Sequence, residues 1–129
     1  MKLLIEYKGR PITKKNSSQI FRTKSGTPFI TPSVQYKQYE RDCILQTPRS
    51  ARISVSEAVN VKCIYYLPTR AKIDLCNLLG ATCDILVKVG VLEDDNSRIV
   101  VSHDGSRVLY DKDNPRVEIE VSNDSGAAN

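Results

Sequence analysis

The segment DLCNLLGATCDILVKVGVLEDD, residues 74–95, constrains the fold more than any other. Leu75, Leu78, Leu79, Thr82, Ile85, Leu86 and Val89 recur at helical spacing, which makes one apolar stripe. Asp74 is the kind of short acceptor favoured just before a helix. Gly90 suits the left-handed residue that ends one, and Val91 suits the apolar contact that goes with such a stop. The spacing therefore predicts a helix over 75–89.

The rest of the chain alternates strand and helix patterns. KLLIEYK (2–8) reads as a short strand and GRPITKKNSSQ as a polar loop. IFRT and TPFI flank KSG, a hairpin with a glycine turn, and Pro32 closes the extended segment. Ser33 caps a helix over VQYKQYERDCILQ, with a ragged apolar face of Val34, Tyr36, Cys43, Ile44 and Leu45. Pro48 ends it, and residues 47–57 read as a mobile loop. Val59, Val61, Cys63 and Tyr65 alternate with Asn60, Lys62 and Ile64, giving a strand with one buried face. SRIVVS, SRVLY and RVEIEV follow as three strands. The expected fold is α+β, a small mixed β-sheet with two helices on one face. It forms one domain over 1–122, with 123–129 as a frayed tail.

Composition sets bounds. A chain of 129 residues suits a single domain. No apolar run approaches the roughly 20 residues that cross a bilayer. The N-terminal apolar patch is too short for a signal peptide, so a cytoplasmic protein is expected. Cys43, Cys63, Cys76 and Cys83 make no CxxC pair and, with His103, no recurring zinc pattern; they read as free thiols. Net charge is +4, and the first 24 residues hold Lys2, Lys8, Arg10, Lys14, Lys15, Arg22 and Lys24 against Glu6 alone. That asymmetry suits a polyanionic partner.

The acids ask for an explanation. Asp74 needs none beyond capping, worth about 1 kcal/mol. Glu93, Asp94 and Asp95 follow a helix C-terminus, where the dipole disfavours negative charge. Asp84 lies inside the helix on the face of Asn77; as a plain surface charge it would pair with Lys88 at i+4. Asp74, Asp84, Asp94 and Asp95 together suggest a hard-cation site for Mg²⁺, with Mn²⁺ as a substitute. Crowding without metal should raise at least one of their pKa values. Arg10, Lys14, Lys15, Asn16, Arg70, Lys72 and Lys88 are candidate phosphate contacts, and Arg22 and Lys24 can reach a second arm. Phe21 and Phe29 read as hairpin core or as a wedge, and His103 as a loop histidine. No glycine-rich phosphate loop accompanies the acids, so no nucleotide cofactor is expected.

Lys72, Asp74, Leu75, Asn77, Leu78, Asp84, Leu86, Gly90, Asp94 and Asp95, with PITKKNSSQIF before and PRVEIEV after, resemble the RusA family of Holliday junction resolvases. The resemblance implies a magnesium-dependent homodimeric endonuclease that nicks four-way DNA junctions in pairs. Asp74 matches the family's first essential aspartate and Asp95 its second closing acid; Asp84 and Asp94 match further acidic positions. Two positions depart from the pattern. Cys76 stands where the family has an aspartate, and Gly80 where it has a lysine. A thiolate is a poor ligand for Mg²⁺; Asn77 can supply an oxygen and Lys72 or Lys88 a cation. A second reading therefore stands beside the first: a DNA- or junction-binding protein that keeps the fold without the chemistry.

Helix length adds a geometric expectation. Asp74 and the Asp94–Asp95 pair flank a rod about 22 Å long, while ligands of one Mg²⁺ lie about 2.0–2.1 Å from it. Unless the loop after Gly90 doubles back along the whole helix, one chain cannot bring both ends to one ion, so the expectation is a site completed across a two-fold homodimer, with the leucine stripe shared between sheet packing and dimer contact.

Overall fold

The computed structural model describes residues 1–14, 18–22, 24–26 and 28–124, with the backbone alone in 18–22 and 28–32. In chain order the elements are β1 (Lys2–Lys8), β2 (Ser18–Arg22), β3 (Pro28–Pro32), α1 (Val34–Gln46), β4 (Val59–Leu67), α2 (Leu75–Lys88), β5 (Val100–Ser102), β6 (Arg107–Tyr110) and β7 (Arg116–Asn123). The fold is α+β, as the patterns predict. Strand β4 is the centre of a mixed five-stranded sheet: antiparallel to β7, which is antiparallel to β1, and parallel to β5 and β6. β2 and β3 form a separate antiparallel hairpin.

The alternation in β4 becomes rows across the sheet. Tyr7, Val117 and Tyr65 stand side by side, as do Ile5, Ile119 and Cys63, and Leu3, Val121 and Val61. Nearly all of these are buried, and they share one core with Tyr36, Tyr39 and Cys43 of α1 and Leu78, Ile85 and Leu86 of α2. Both helices therefore cover the same sheet face. Each is tied down by a core tyrosine. The Tyr7 hydroxyl meets Thr47 Oγ1 at 2.7 Å, just past α1, and the Tyr65 hydroxyl meets Thr82 Oγ1 at 2.6 Å, in mid-α2. Each threonine also donates back to its own helix, to Cys43 O at 2.9 Å and to Leu78 O at 3.0 Å. The polar atoms of the core are thus paired where the sheet meets the helices, at a net worth of about 1 kcal/mol per bond.

Several expectations change. α1 buries Tyr36, Tyr39 and Cys43 on one regular face; of the expected apolar face Tyr36 and Cys43 are buried and Ile44 half-buried, while Val34 and Leu45 are exposed and Tyr39 takes their place. α2 ends at Lys88, with Val89 as its cap. Of the stripe Leu75, Leu78, Leu79 and Leu86, the last three are buried within the chain and Leu75 is half-buried against the core. Cys76, Gly80, Asp84 and Lys88 make the exposed line along the helix instead.

Residues 47–57 are not a loose loop. A 3₁₀ turn at Arg49–Ala51 leads into Val55, which is buried and forms a parallel bridge with Leu92. Ser54 N donates to Gly90 O, Val55 N to Val91 O and Glu93 N to Val55 O, each at 2.9 Å. Arg52 donates to Ile44 O and Thr47 O, both at 3.0 Å. The segment is a strap across the end of α2, which the polar sequence between Pro48 and Glu57 did not announce.

The Tyr65–Thr82 bond gives a direct check on the packing. Thr82→Val leaves a buried tyrosine hydroxyl unpaired and is expected to cost about 1–3 kcal/mol in urea unfolding. Tyr65→Phe combined with Thr82→Val is expected to cost less than the two single changes added together.

Candidate active site

Asp74 sits at the N-terminus of α2 in extended conformation, and its Oδ1 accepts from Cys76 N at 2.8 Å and Asn77 N at 3.4 Å. Capping engages this one oxygen of an exposed carboxylate. The approach to it carries exposed Arg70 and Lys72. Lys72 and Ile73 share a cleft of about 470 Å³ with Arg10, Pro11, Ile12, Thr13 and Gln35. Two of the expected phosphate contacts, Arg10 and Lys72, are therefore brought to one opening beside Asp74 although they are far apart in the chain. Arg70 is held over the ring of Tyr110 at 4.3 Å. A cation on an aromatic face keeps its charge available to an anion. Sequence reasoning passed over Tyr110; its signal was an aromatic at the end of a strand that stays half exposed.

The other acids lie at the far end of α2. Gly90 adopts φ +87°, with Gly90 N donating to Val87 O at 3.1 Å and Val91 N to Leu86 O at 2.9 Å. This is the expected glycine stop, and it sends Val91 and Leu92 into the core. The strap at Ser54 and Val55 then holds the segment to Glu93, so Asp94 and Asp95 start from a fixed point. Asp94 folds onto its own loop: Oδ1 accepts from Asp95 N at 2.8 Å and Oδ2 from Asn96 Nδ2 at 3.0 Å. Those two bonds lower its pKa. The rise expected from crowding is not what happens at Asp94, where the local donors outweigh desolvation. Asp94 serves the turn, which leaves Asp95 as the freer carboxylate of the pair.

Asp84 is exposed on α2 and pairs with Lys14 at 3.4 Å; Lys88 pairs instead with Glu40 of α1 at 2.7 Å. The i+4 pairing of Asp84 with Lys88 is not made. Both Asp84 and Asp95 lie near enough to Cys83 to help raise its thiol to about 12, after burial and Cys63. Lys15 and Asn16 fall outside the described residues, as do the side chains of Phe21, Arg22 and Phe29. Lys24 is exposed.

Among the described residues no three His, Cys, Asp or Glu side chains converge closely enough to hold a metal ion. The donors themselves are hard carboxylate oxygens on an exposed surface, which suit Mg²⁺ or Mn²⁺. Cys43, Cys63 and Cys83 are buried free thiols, Cys76 an exposed one. No described helix is long and apolar enough to cross a membrane.

The structure is a small α+β domain with exposed carboxylates before and after one helix, and with Arg10 and Lys72 gathered beside Asp74. The model of endodeoxyribonuclease RusA matches residues 7–122 of the chain, and the chain belongs to that family. Membership carries nuclease activity of the Holliday junction resolvase type. No curated protein matches the chain.

Gly80, at the family's lysine position, has φ outside the left-handed region, and a Cβ there would meet nothing within 4 Å. Glycine inside a helix costs about 0.5–1 kcal/mol relative to alanine. Gly80→Ala is expected to stabilise the protein by about that amount in urea unfolding, and Gly80→Lys is expected to fold equally well.

Proposed function

We propose that this protein is a divalent-metal-dependent endonuclease that resolves four-way DNA junctions by paired nicking in recombination and repair, acting as a homodimer. One observation carries the reading: the family match spans residues 7–122, which include Asp74 at the N-cap of α2 and Asp95 in the segment that follows that helix. Asp74 and Asp95 are the ligands central to the metal site, with Asp84 beside them and Asp94 orienting Asp95. The bound cation supplies a water of lowered pKa and offsets charge on the scissile phosphate. Arg10, Lys14, Arg70, Lys72 and Lys88 hold flanking phosphates, and Lys15 and Asn16 extend that surface.

The metal site is completed between two subunits. Asp84, on the same helix, stands about 15 Å along its axis from Asp74. Oxygens on one Mg²⁺ are no more than about 4 Å apart. A two-fold axis that sets two α2 helices antiparallel brings Asp74 of each toward Asp84 and Asp95 of the other. The exposed line Cys76, Gly80, Asp84 and Lys88, with small residues at its first two positions, lets such helices approach closely. Mg²⁺ is the resident ion and Mn²⁺ replaces it, because the donors are all hard oxygens. No nucleotide cofactor takes part, and the protein works in the cytoplasm.

Cys76 in place of the family acid favours a second reading, a junction-binding protein without chemistry. A synthetic four-way junction decides between them. With Mg²⁺ the protein is expected to leave symmetric nicks in opposed strands, and Asp95→Asn to cut at least 100-fold more slowly while still binding, the scale of losing electrostatic stabilisation at the reacting group. Tight binding with no nicks from the unaltered protein supports the second reading.

A further inference from the structure

A cleft of about 330 Å³ opens between α1 and α2, lined by Lys14, Tyr36, Lys37, Glu40, Arg41 and Lys88. Four cations face a single carboxylate there. Glu40 is already answered by Lys88, and Lys14 leans out to Asp84. Lys37 and Arg41 stand one turn apart on the exposed side of α1, and no carboxylate pairs with either among the described residues. Arg41 donates to the neutral Gln38 Oε1 at 2.8 Å, which leaves its charge unanswered.

The floor of the cleft points the same way. Tyr36 is 1% exposed, and its hydroxyl is the one buried side-chain polar atom among the described residues that lacks a hydrogen-bond partner. An orphaned hydroxyl of this kind costs about 1–3 kcal/mol, so its presence asks for an acceptor. Burial, with Glu40 and Asp84 nearby, pushes its pKa up and keeps it a proton donor. Lys14 Nζ stands 5.7 Å above the ring, held only by its partly exposed pair with Asp84.

We propose that this cleft is a subsite for a backbone phosphate flanking the scissile one, with Lys37 and Arg41 as its cations and the Tyr36 hydroxyl as its neutral donor. The inference rests on the endonuclease reading and adds to it a contact on α1 that holds a DNA arm in place. The subsite reads no sequence, because phosphates carry none.

The test is equilibrium binding of the full chain to a labelled four-way junction, with Ca²⁺ replacing Mg²⁺, across a salt series. Lys37→Gln with Arg41→Gln is expected to weaken binding roughly tenfold and to flatten the log K against log salt slope by about 1 for each phosphate lost. Lys2→Gln with Lys112→Gln removes the same charge elsewhere and is expected to leave both unchanged. Tyr36→Phe is expected to weaken binding roughly threefold without lowering the melting temperature, since the group removed has no partner to lose. If the α1 double variant matches the Lys2 and Lys112 control, the subsite is overturned and the endonuclease reading stands. If the unaltered protein does not bind the junction, both fall. A thermal shift by inorganic phosphate at constant ionic strength, larger for the unaltered protein than for the α1 variant, would make this a free-anion site and overturn the backbone assignment.

Discussion

Everything the site can do depends on α2 lying rigidly across the sheet. Leu78, Ile85 and Leu86 are buried to 1% exposure or less, each worth about 1.5–3 kcal/mol relative to exposure. The Tyr65–Thr82 bond fixes the helix against sliding along β4. A helix held in this way is a ruler. It holds the carboxylate that caps its N-terminus apart from the Asp84 turn, and among the described residues no three His, Cys, Asp or Glu side chains converge on one ion.

The two ends are held by different physics. At the N-terminus Asp74 satisfies orphaned amides of α2, so a residue proposed to bind metal also begins the helix. At the C-terminus a glycine stop turns the chain, and the strap of residues 52–55 clamps Gly90, Val91 and Glu93 through main-chain hydrogen bonds. Asp94 then uses its two oxygens to close the next turn. The acidic run looks redundant as sequence, yet it divides into a residue that shapes the loop and a residue that the loop presents. The open face of the sheet carries a shallow depression of about 450 Å³ lined by Glu6, Glu118, Glu120 and Lys62, where Glu120 pairs with Lys2 and Glu118 with Arg116.

Much of this was legible because it is local. Ser33, Asp74 and Gly90 mark helix ends by their own backbone chemistry, and β4 is legible because alternation has a period of 2. What stayed hidden depends on partners distant in sequence. The segment 47–57 has a polar, turn-rich composition, and only its pairing with residues 90–93 makes it a strap. Asp84 has a lysine at i+4, yet the fold brings Lys14 to Asp84 and Glu40 to Lys88. Lys37 and Arg41 read as ordinary helix charges until α2 supplies the other wall of their cleft. The RusA family was legible from one dense block, and the departures at Cys76 and Gly80 were legible with it.

The central claim is that one catalytic site draws Asp74 from one subunit and Asp95 from its partner. Subunit mixing tests it most directly. Asp74→Asn and Asp95→Asn, each inactive alone, are exchanged into mixed dimers and given a labelled four-way junction with Mg²⁺. Cross-subunit sites leave each mixed dimer with one intact pair, so nicking should return on the order of a quarter of wild-type sites for random pairing. A mixture that stays inactive, although both variants dimerise and bind the junction, would contradict the account.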